Sequence, residues 1–275
     1  MIAARVMAGT AGPTASVSSL LRICQDGSPV QRIAVFAALQ WECRTVLKHL
    51  RQVRRVRLGA FTCWQGRGAR YEVWVVKTGM GVERAAAAVD AMGAAHGCDL
   101  FVSTGCAGGL APALLPGDLV IASTISGDGT SGTLTTAALP RAHALQAAET
   151  AGLRRVEGSL LCSATVLATA SEKRAAAARG AVVVEMEGGA IAARAAAAAV
   201  PLLSVRAILD AAEHEVRLPG TLIDPASGNL RPLALAGYVA THPFVVAELL
   251  AMQRMQSAAR DSLERFFGRW LAEDL

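Results

Sequence analysis

Short apolar runs that alternate with helical stretches are the feature that most constrains how this chain can fold. The runs are only a few residues long and rich in β-branched residues, which is typical of buried strands. They cover residues 32–38, 71–77, 99–104, 118–123, 160–163, 181–185 and 202–208. Helical periodicity fills the stretches 42–50, 83–95, 141–151, 172–179 and 188–199. This alternation predicts a single α/β domain with a largely parallel, buried sheet.

Composition excludes several other classes. Of the 275 residues, 53% are hydrophobic and the net charge is only +5, so the chain is not disordered as a whole. Six cysteines are too sparse for a disulfide scaffold, and none form a C-x-x-C pair. No H-E-x-x-H motif occurs either, so we expect no metal site, and we expect reduced cysteines in a cytoplasmic protein.

The two ends of the chain differ from its middle. Residues 1–30 lack an apolar signal segment and are expected to be a flexible extension before a domain spanning 31–230. The tail, 231–275, has a helical pattern, and its apolar part at 232–252 approaches the length of a membrane span. His242, Pro243 and Glu248 interrupt that part, which favours short helices covering a core over a span.

A basic cluster between Arg44 and Lys77 raises the question of nucleic-acid binding. It contains arginines at 51, 54, 55, 57, 67 and 70, but only 4% of the chain is aromatic and no stacking motif accompanies them. A solvated basic face is the better interpretation, with weak attraction to anionic surfaces left open.

Polar and glycine-rich segments follow the predicted strands. Ligands of open α/β sheets bind beyond the carboxyl ends of the strands, and in a parallel sheet these ends share one edge. We therefore expect Glu42, the segment 78–81 (TGMG), the segment 104–109 (TGCAGG), the segment 185–187 (EME) and Asp210 to converge.

Three carboxylates in these segments could do chemistry, and each also has a simpler interpretation. Asp210 at a strand end is suited to donating a proton, or it could cap a following helix. Glu187 could accept hydrogen bonds from a vicinal diol such as ribose, or stabilise a helix N-terminus. Glu42 is by default a solvent-facing helix residue.

The glycines match no known phosphate-binding pattern. Gly105 and Gly108 allow a backbone to approach something closely, but they form neither G-x-G-x-x-G nor a P-loop. Tight packing turns would explain them without a ligand. No G-x-S-x-G motif supports a serine hydrolase either.

Three segments taken together resemble one superfamily. They are 103–110 (STGCAGGL) continuing through 116–120 (PGDLV), 184–192 (VEMEGGAIA) and 201–210 (PLLSVRAILD). Their order and spacing resemble the superfamily of purine nucleoside phosphorylases and methylthioadenosine/S-adenosylhomocysteine nucleosidases, over residues 32–215. The resemblance implies a three-layer α/β/α fold with a central mixed sheet, and an enzyme that cleaves a purine nucleoside.

The resemblance also implies roles for individual residues. Asp210 would protonate or hydrogen-bond N7 of the leaving purine, Glu42 would activate water, and Glu187 would bind the ribose hydroxyls with Met186 packing on the sugar. The other substrate-binding residues that it implies are Gly79, Arg84, Gly105, Cys106, Ala107, Gly108, Leu167 and Ala168. The stretch 163–167 departs from the usual pattern, and the aromatic residue that stacks on the base is missing.

The same resemblance leaves hydrolysis and phosphorolysis as alternatives. The phosphorylase branch has a Pro-Gly-Asp-Pro loop after its first strand, whereas this chain has 38–42 (ALQWE) there. Glu42 would repel phosphate but could take a proton from water, which favours hydrolysis without a cofactor. Arg84 could still contact phosphate as a co-substrate. A non-catalytic nucleoside-binding module is disfavoured, because a binder needs no water-activating carboxylate.

The tail resembles that of hopanoid-associated nucleoside phosphorylases. The matching residues are Asp224-Pro225, 228–234 (GNLRPLA) and His242-Pro243, followed by a basic amphipathic helix. This resemblance implies release of adenine from adenosylhopane, with peripheral membrane contact through the tail. An ordinary methylthioadenosine/S-adenosylhomocysteine nucleosidase is the alternative, in which the tail completes the fold or an interface. We expect a homo-oligomer and no nucleic-acid partner.

Overall fold

The structure is a computed structural model that describes residues 22–23, 29–215, 220–222, 231–242 and 245–272. Its strands are β1 (Arg22–Ile23), β2 (Pro29–Ala37), β3 (Arg51–Leu58), β4 (Phe61–Arg67), β5 (Tyr71–Lys77), β6 (Leu100–Gly109), β7 (Leu119–Gly127), β8 (Leu134–Thr135), β9 (Arg155–Cys162), β10 (Val183–Glu185) and β11 (Leu202–Asp210). Its α-helices are α1 (Gln40–Leu47), α2 (Val82–Ala95), α3 (Ala138–Thr150), α4 (Ala170–Ala177), α5 (Gly188–Ala197), α6 (Pro232–Thr241) and α7 (Val245–Trp270).

The strands form one mixed sheet with the order β10-β9-β7-β11-β6-β2-β5-β4-β3. Strands β11, β6, β2 and β5 run parallel at its centre. The prediction of a largely parallel sheet holds there and along β7, β9 and β10, whereas β7–β11, β4–β5 and β3–β4 are antiparallel. Strand β10 also pairs with β6, so five strands close into a ring at one end of the sheet.

Helices cover both faces of the sheet, which confirms the predicted α/β architecture. Along β2, Ile33, Val35 and Ala37 face a core built with α1, α3 and α7. The alternate residues Ala34 and Phe36 face a second core built with α2 and α5. This alternation is the period of two that a strand buried on both faces requires.

Most of the basic cluster lies in a hairpin that the sequence pattern did not predict. Strands β3 and β4 pair antiparallel at the outer edge of the sheet, and β3 is exposed over most of its length. Its four arginines therefore face solvent, in agreement with the expected basic face. Charged side chains also discourage an edge strand from pairing with another chain. The charged residues of β3 break the apolar pattern by which the other strands are predicted, so the sequence did not predict this strand.

The C-terminal tail divides into the two helices α6 and α7. The last turns of α7 bury Phe266, Phe267 and Trp270 in the core beside α1 and α3. In the part of the chain that the structure describes, no helix is long and apolar enough to cross a membrane. Most of the expected N-terminal extension lies outside the described residues, and its described strand β1 pairs with the start of β2. Asp224, Pro225 and 228–230 of the tail motif also lie outside the described residues.

Candidate active site

The candidate site begins where β6 loses one of its neighbours. The last β2–β6 pair is Ala37 with Thr104, yet β6 continues to Gly109. The prediction that this strand ends at Gly105 is therefore wrong. Beyond that point the side of β6 left by β2 is occupied by Glu42, from the first turn of α1.

Glu42 is buried and held by backbone groups from two elements. Its Oε1 accepts a hydrogen bond from the N–H of Cys106 at 2.9 Å, and its Oε2 accepts one from the N–H of Leu39 at 2.9 Å. Only 2% of the residue is exposed, so the solvent-facing interpretation is wrong. Burial raises the pKa of Glu42, although these hydrogen bonds and the charge of Arg206 act to lower it.

Gly105 makes this close approach possible. A Cβ atom at position 105 would lie 2.7 Å from Glu42 Oε1, closer than real contacts allow. The residue also has a φ of +151°, which side-chain-bearing residues rarely adopt. The close contact with the Glu42 carboxylate and the backbone φ each favour glycine here, so a tight turn is not needed to explain it.

A buried ion pair lies next to this carboxylate. Arg206 Nη2 donates to Glu185 Oε2 at 2.7 Å and to Ser103 Oγ at 2.6 Å, and both charged side chains are 2% exposed. Burial disfavours the charged guanidinium, yet the carboxylates of Glu185, Glu187 and Glu42 outweigh it and raise the pKa of Arg206. One buried cation therefore interacts electrostatically with three glutamates, and it is hydrogen-bonded to one of them, Glu185.

Glu185, rather than Glu187, stabilises the start of α5. The N–H of Gly188 donates to both oxygens of Glu185 at 2.9 Å. Glu187 turns away and accepts a hydrogen bond at 2.7 Å from the N–H of Gly81, where α2 begins. Burial and the neighbouring Glu185 raise the pKa of Glu187 to about 8. A carboxyl group held in this way is available for a ligand.

Asp210 is paired with a lysine that sequence analysis did not single out. Lys173, on α4, donates to Asp210 Oδ2 and to the carbonyl oxygens of Ala211 at 2.9 Å and His214 at 2.8 Å. A turn rather than a helix follows Asp210 over residues 211–215, so the helix-cap interpretation is not supported. The carboxyl group of Asp210 is therefore held at one oxygen by the ammonium group of Lys173.

Glu42 and Asp210 lie on opposite sides of the same stretch of β6. A Cβ atom at Gly108 would lie 3.7 Å from both carboxylate oxygens of Asp210, just as Gly105 adjoins Glu42. Gly105 and Gly108 are three residues apart, which is about 10 Å along a strand.

The remaining predicted residues occupy the surroundings of this strand. Cys106, Ala107 and Gly108 belong to β6, and Met186 is half-buried between the two glutamates of its motif. Leu167 and Ala168 are also predicted to bind substrate, but they make no described contact with Glu42, Glu187 or Asp210. Leu167 packs instead against a small cluster that includes Leu110, Leu161 and Ala176.

Gly79 and Arg84 are close to each other. Gly79 has a φ of +78°, and a Cβ atom there would lie 2.3 Å from Arg84 Nε. That Nε donates to the carbonyl oxygen of Thr78 at 3.2 Å, so the exposed Arg84 folds over the loop before α2.

Sequence analysis missed the roles of Arg206, Glu185 and Lys173. Arg206 carried a usable signal, because a charge inside an apolar strand must be paired when that strand is buried. Lys173 carried none, since it lies in a polar helical segment of ordinary composition. Within the described ranges, no group of three or more His, Cys, Asp or Glu residues is arranged to hold a metal ion.

These features define an α/β protein with a candidate site at the strand ends. Residues 32–224 match the model of the Phosphorylase superfamily, so the chain belongs to that superfamily. This membership confirms the prediction of an enzyme of the nucleoside phosphorylase and nucleosidase kind. No curated protein matches the chain significantly.

Solved structures share the fold at low identity. The 5'-methylthioadenosine/S-adenosylhomocysteine nucleosidase of Neisseria meningitidis, bound to methylthio-immucillin-A, is 19% identical with a TM-score of 0.70, over 88% of this chain and 99% of that chain. The corresponding enzyme of Colwellia psychrerythraea, bound to adenine, is 18% identical with a TM-score of 0.68, over 89% and 98%. A Helicobacter pylori futalosine hydrolase mutant is 22% identical with a TM-score of 0.60, over 65% and 89%.

Proposed function

We propose that this protein cleaves the N-glycosidic bond of a 5'-substituted adenosine by hydrolysis and releases adenine. The observation that carries the proposal is that Glu42 adjoins Gly105 and Asp210 adjoins Gly108, two positions about 10 Å apart along β6. A base held near Asp210 and a sugar held near Glu42 would set the C1'–N9 bond between them. The Neisseria and Colwellia structures, which hold a nucleoside analogue and adenine, support this ligand class.

Each carboxylate has a role in this reaction. As the C1'–N9 bond breaks, its electron pair moves to the purine, and the carboxyl group of Asp210, in its protonated form, donates its proton to N7. Glu187 accepts hydrogen bonds from the ribose hydroxyls, and Met186 packs on the sugar. Glu42 takes a proton from the water that attacks C1'. Such acid and base assistance is worth roughly 10²–10⁴-fold in rate for each group.

Hydrolysis is favoured over phosphorolysis by the charges of the site. Arg206 interacts electrostatically with Glu42, Glu185 and Glu187, all buried or half-buried. Lys173 is already bonded to Asp210. A phosphate dianion would meet these carboxylates, and the buried cations Arg206 and Lys173 are already paired with carboxylates. Water needs no such partner.

We propose, more narrowly, that the 5'-substituent is apolar and that adenosylhopane is the substrate, as the resemblance of the tail implies. The tail supports an apolar approach surface: Leu222 and Val245 form a small core with residues of α6 and α7, and Val246 and Leu250 of α7 are exposed. Such a substrate would place the enzyme in the cytoplasm, in peripheral contact with the membrane.

The test is adenine release from a nucleoside panel with and without phosphate. The panel contains adenosine, methylthioadenosine, S-adenosylhomocysteine and an adenosine with a hopanoid chain at C5'. We expect adenine and free ribosyl product at a rate independent of phosphate, with the apolar substrate preferred. Ribose-1-phosphate as the product would assign phosphorolysis instead, and equal turnover of methylthioadenosine would refute the narrower substrate.

Asp210→Asn tests the role of the strand-end acid. The variant should lose at least 10²-fold in adenine release while its thermal unfolding stays cooperative. Binding of adenine without any release by the wild-type protein would instead identify a nucleoside-binding module.

A further inference from the structure

Lys173 is a buried cation whose three donors are all in use. It is 1% exposed, and its ammonium group bonds Asp210 Oδ2, the carbonyl oxygen of Ala211 and that of His214. An ammonium group has three N–H bonds, so this set leaves none for a ligand. Lys173 therefore acts on the carboxylate and on the chain that leaves β11, not on a substrate.

The two oxygens of Asp210 differ in their surroundings. Lys173 holds Oδ2, whereas no described residue donates to Oδ1. The side chain of Asp210 remains 12% exposed while that of Lys173 is 2% exposed. The carboxyl group therefore keeps the larger exposed fraction of the two partners, and Oδ1 is its oxygen without a described donor.

We propose that Lys173 is a positioning residue that holds Asp210 by Oδ2 and so presents a protonated Oδ1 to N7 of the leaving purine, which takes that proton. This inference rests on the proposed function. The lysine comes from α4, and the acid from the end of β11, 37 residues further along the chain. Its bonds to Ala211 and His214 fix the same strand end from two further points. Lys173 thus orients the Asp210 carboxyl group and restricts its rotation.

The test compares two leaving groups in Lys173→Met. Adenine needs assistance at N7, whereas 4-nitrophenolate departs from 4-nitrophenyl riboside without a proton. We expect Lys173→Met to lower kcat for adenine release by about 10²-fold or more, close to the effect of Asp210→Asn. Release of 4-nitrophenolate should change by less than about threefold. The double variant should be no slower than Asp210→Asn alone, because the two residues act as one unit.

Arg174→Met is the matched control. It removes a positive charge one position away on the same helix, at an exposed site, and should leave both reactions unchanged. Circular dichroism and thermal unfolding check the fold of each variant. If Lys173→Met does not fold, Lys173→Gln keeps a donor for Asp210, and the same selective loss is expected in smaller size.

A binding measurement separates this inference from the proposed function. The wild-type protein should bind adenine more tightly than 7-deazaadenine, which lacks N7, and Lys173→Met should lose that preference. Equal slowing of both leaving groups, or an unchanged preference, would overturn the positioning role. A wild-type protein that releases no adenine would refute the proposed function, and the binding preference would then decide the role of Lys173 alone.

Discussion

The carboxylate of Glu42 accepts a hydrogen bond from the backbone N–H of Cys106, 64 residues away along the chain. The bond takes the place that strand pairing with β2 would have had, since the last β2–β6 pair is at Thr104, two residues before Cys106. The Glu42 side chain is thus bound by a backbone N–H of β6 that lies just beyond the end of its pairing with β2. The predictions below follow from this relationship and from the charges around it.

Glu42→Gln should lower adenine release by at least about 10²-fold with little loss of structure. An amide cannot take a proton from water, and it offers one oxygen where the carboxylate offers two to Leu39 and Cys106. Steady-state kinetics of adenine release measures the effect, with adenine binding as the control for an intact site. A variant that retains more than about a tenth of the wild-type rate would remove Glu42 from the reaction.

Gly105→Ala should impair both activity and folding. The added methyl group would lie 2.7 Å from Glu42 Oε1 at a φ that favours glycine, so Glu42 must leave its two backbone donors. We expect a loss of about 1–3 kcal/mol in the free energy of unfolding, measured by urea denaturation. Gly93→Ala is the matched control, because nothing lies within 4 Å of a Cβ atom there. In the last turn of α2 it should be neutral or stabilising by up to about 1 kcal/mol.

The stability of the protein should fall as the pH rises from the acid range to about 8. Burial and Glu185 raise the pKa of Glu187 from 4.5 to about 8, so the folded state binds a proton that the unfolded state has released. Its contribution is fully present below about pH 4.5 and is lost as the pH rises through 8. The slope for one proton is at most about 1.4 kcal/mol per pH unit.

Glu187→Gln provides the comparison for this pH dependence. The amide does not titrate, so urea denaturation across this range should show a flatter dependence of stability on pH. Some slope should remain, because burial raises the pKa of Glu42 in the same direction. Identical slopes for the variant and the wild type would show that Glu187 is already ionised in the folded protein.

Arg206→Met should destabilise the protein by about 3–5 kcal/mol, because it leaves the Glu185 carboxylate buried without its cation. Adding Glu185→Gln should recover part of that loss, since the amide carries no charge. Urea denaturation of both single variants and the double variant gives the coupling energy. Strictly additive losses would mean that the pair does not interact as its geometry indicates.

Much of the architecture was predictable from local pattern. Apolar runs such as Tyr71–Lys77 keep their strand assignment, because a strand buried on both faces must be apolar along its whole length. The hairpin of β3 and β4 was not predictable in this way. One of its strands is an exposed edge, and exposure removes the apolar signal that marks the others.

The sequence by itself determined which acidic residues follow strands, and therefore that Glu42, Glu187 and Asp210 could meet at one end of a parallel sheet. Tertiary structure alone decided how they are held. Arg206 reaches Glu185 across 21 residues and Lys173 reaches Asp210 across 37, from elements whose contact no local pattern encodes. Burial then set the protonation of Glu187, because the free energy of a charge depends on what surrounds it in space and not on its neighbours along the chain.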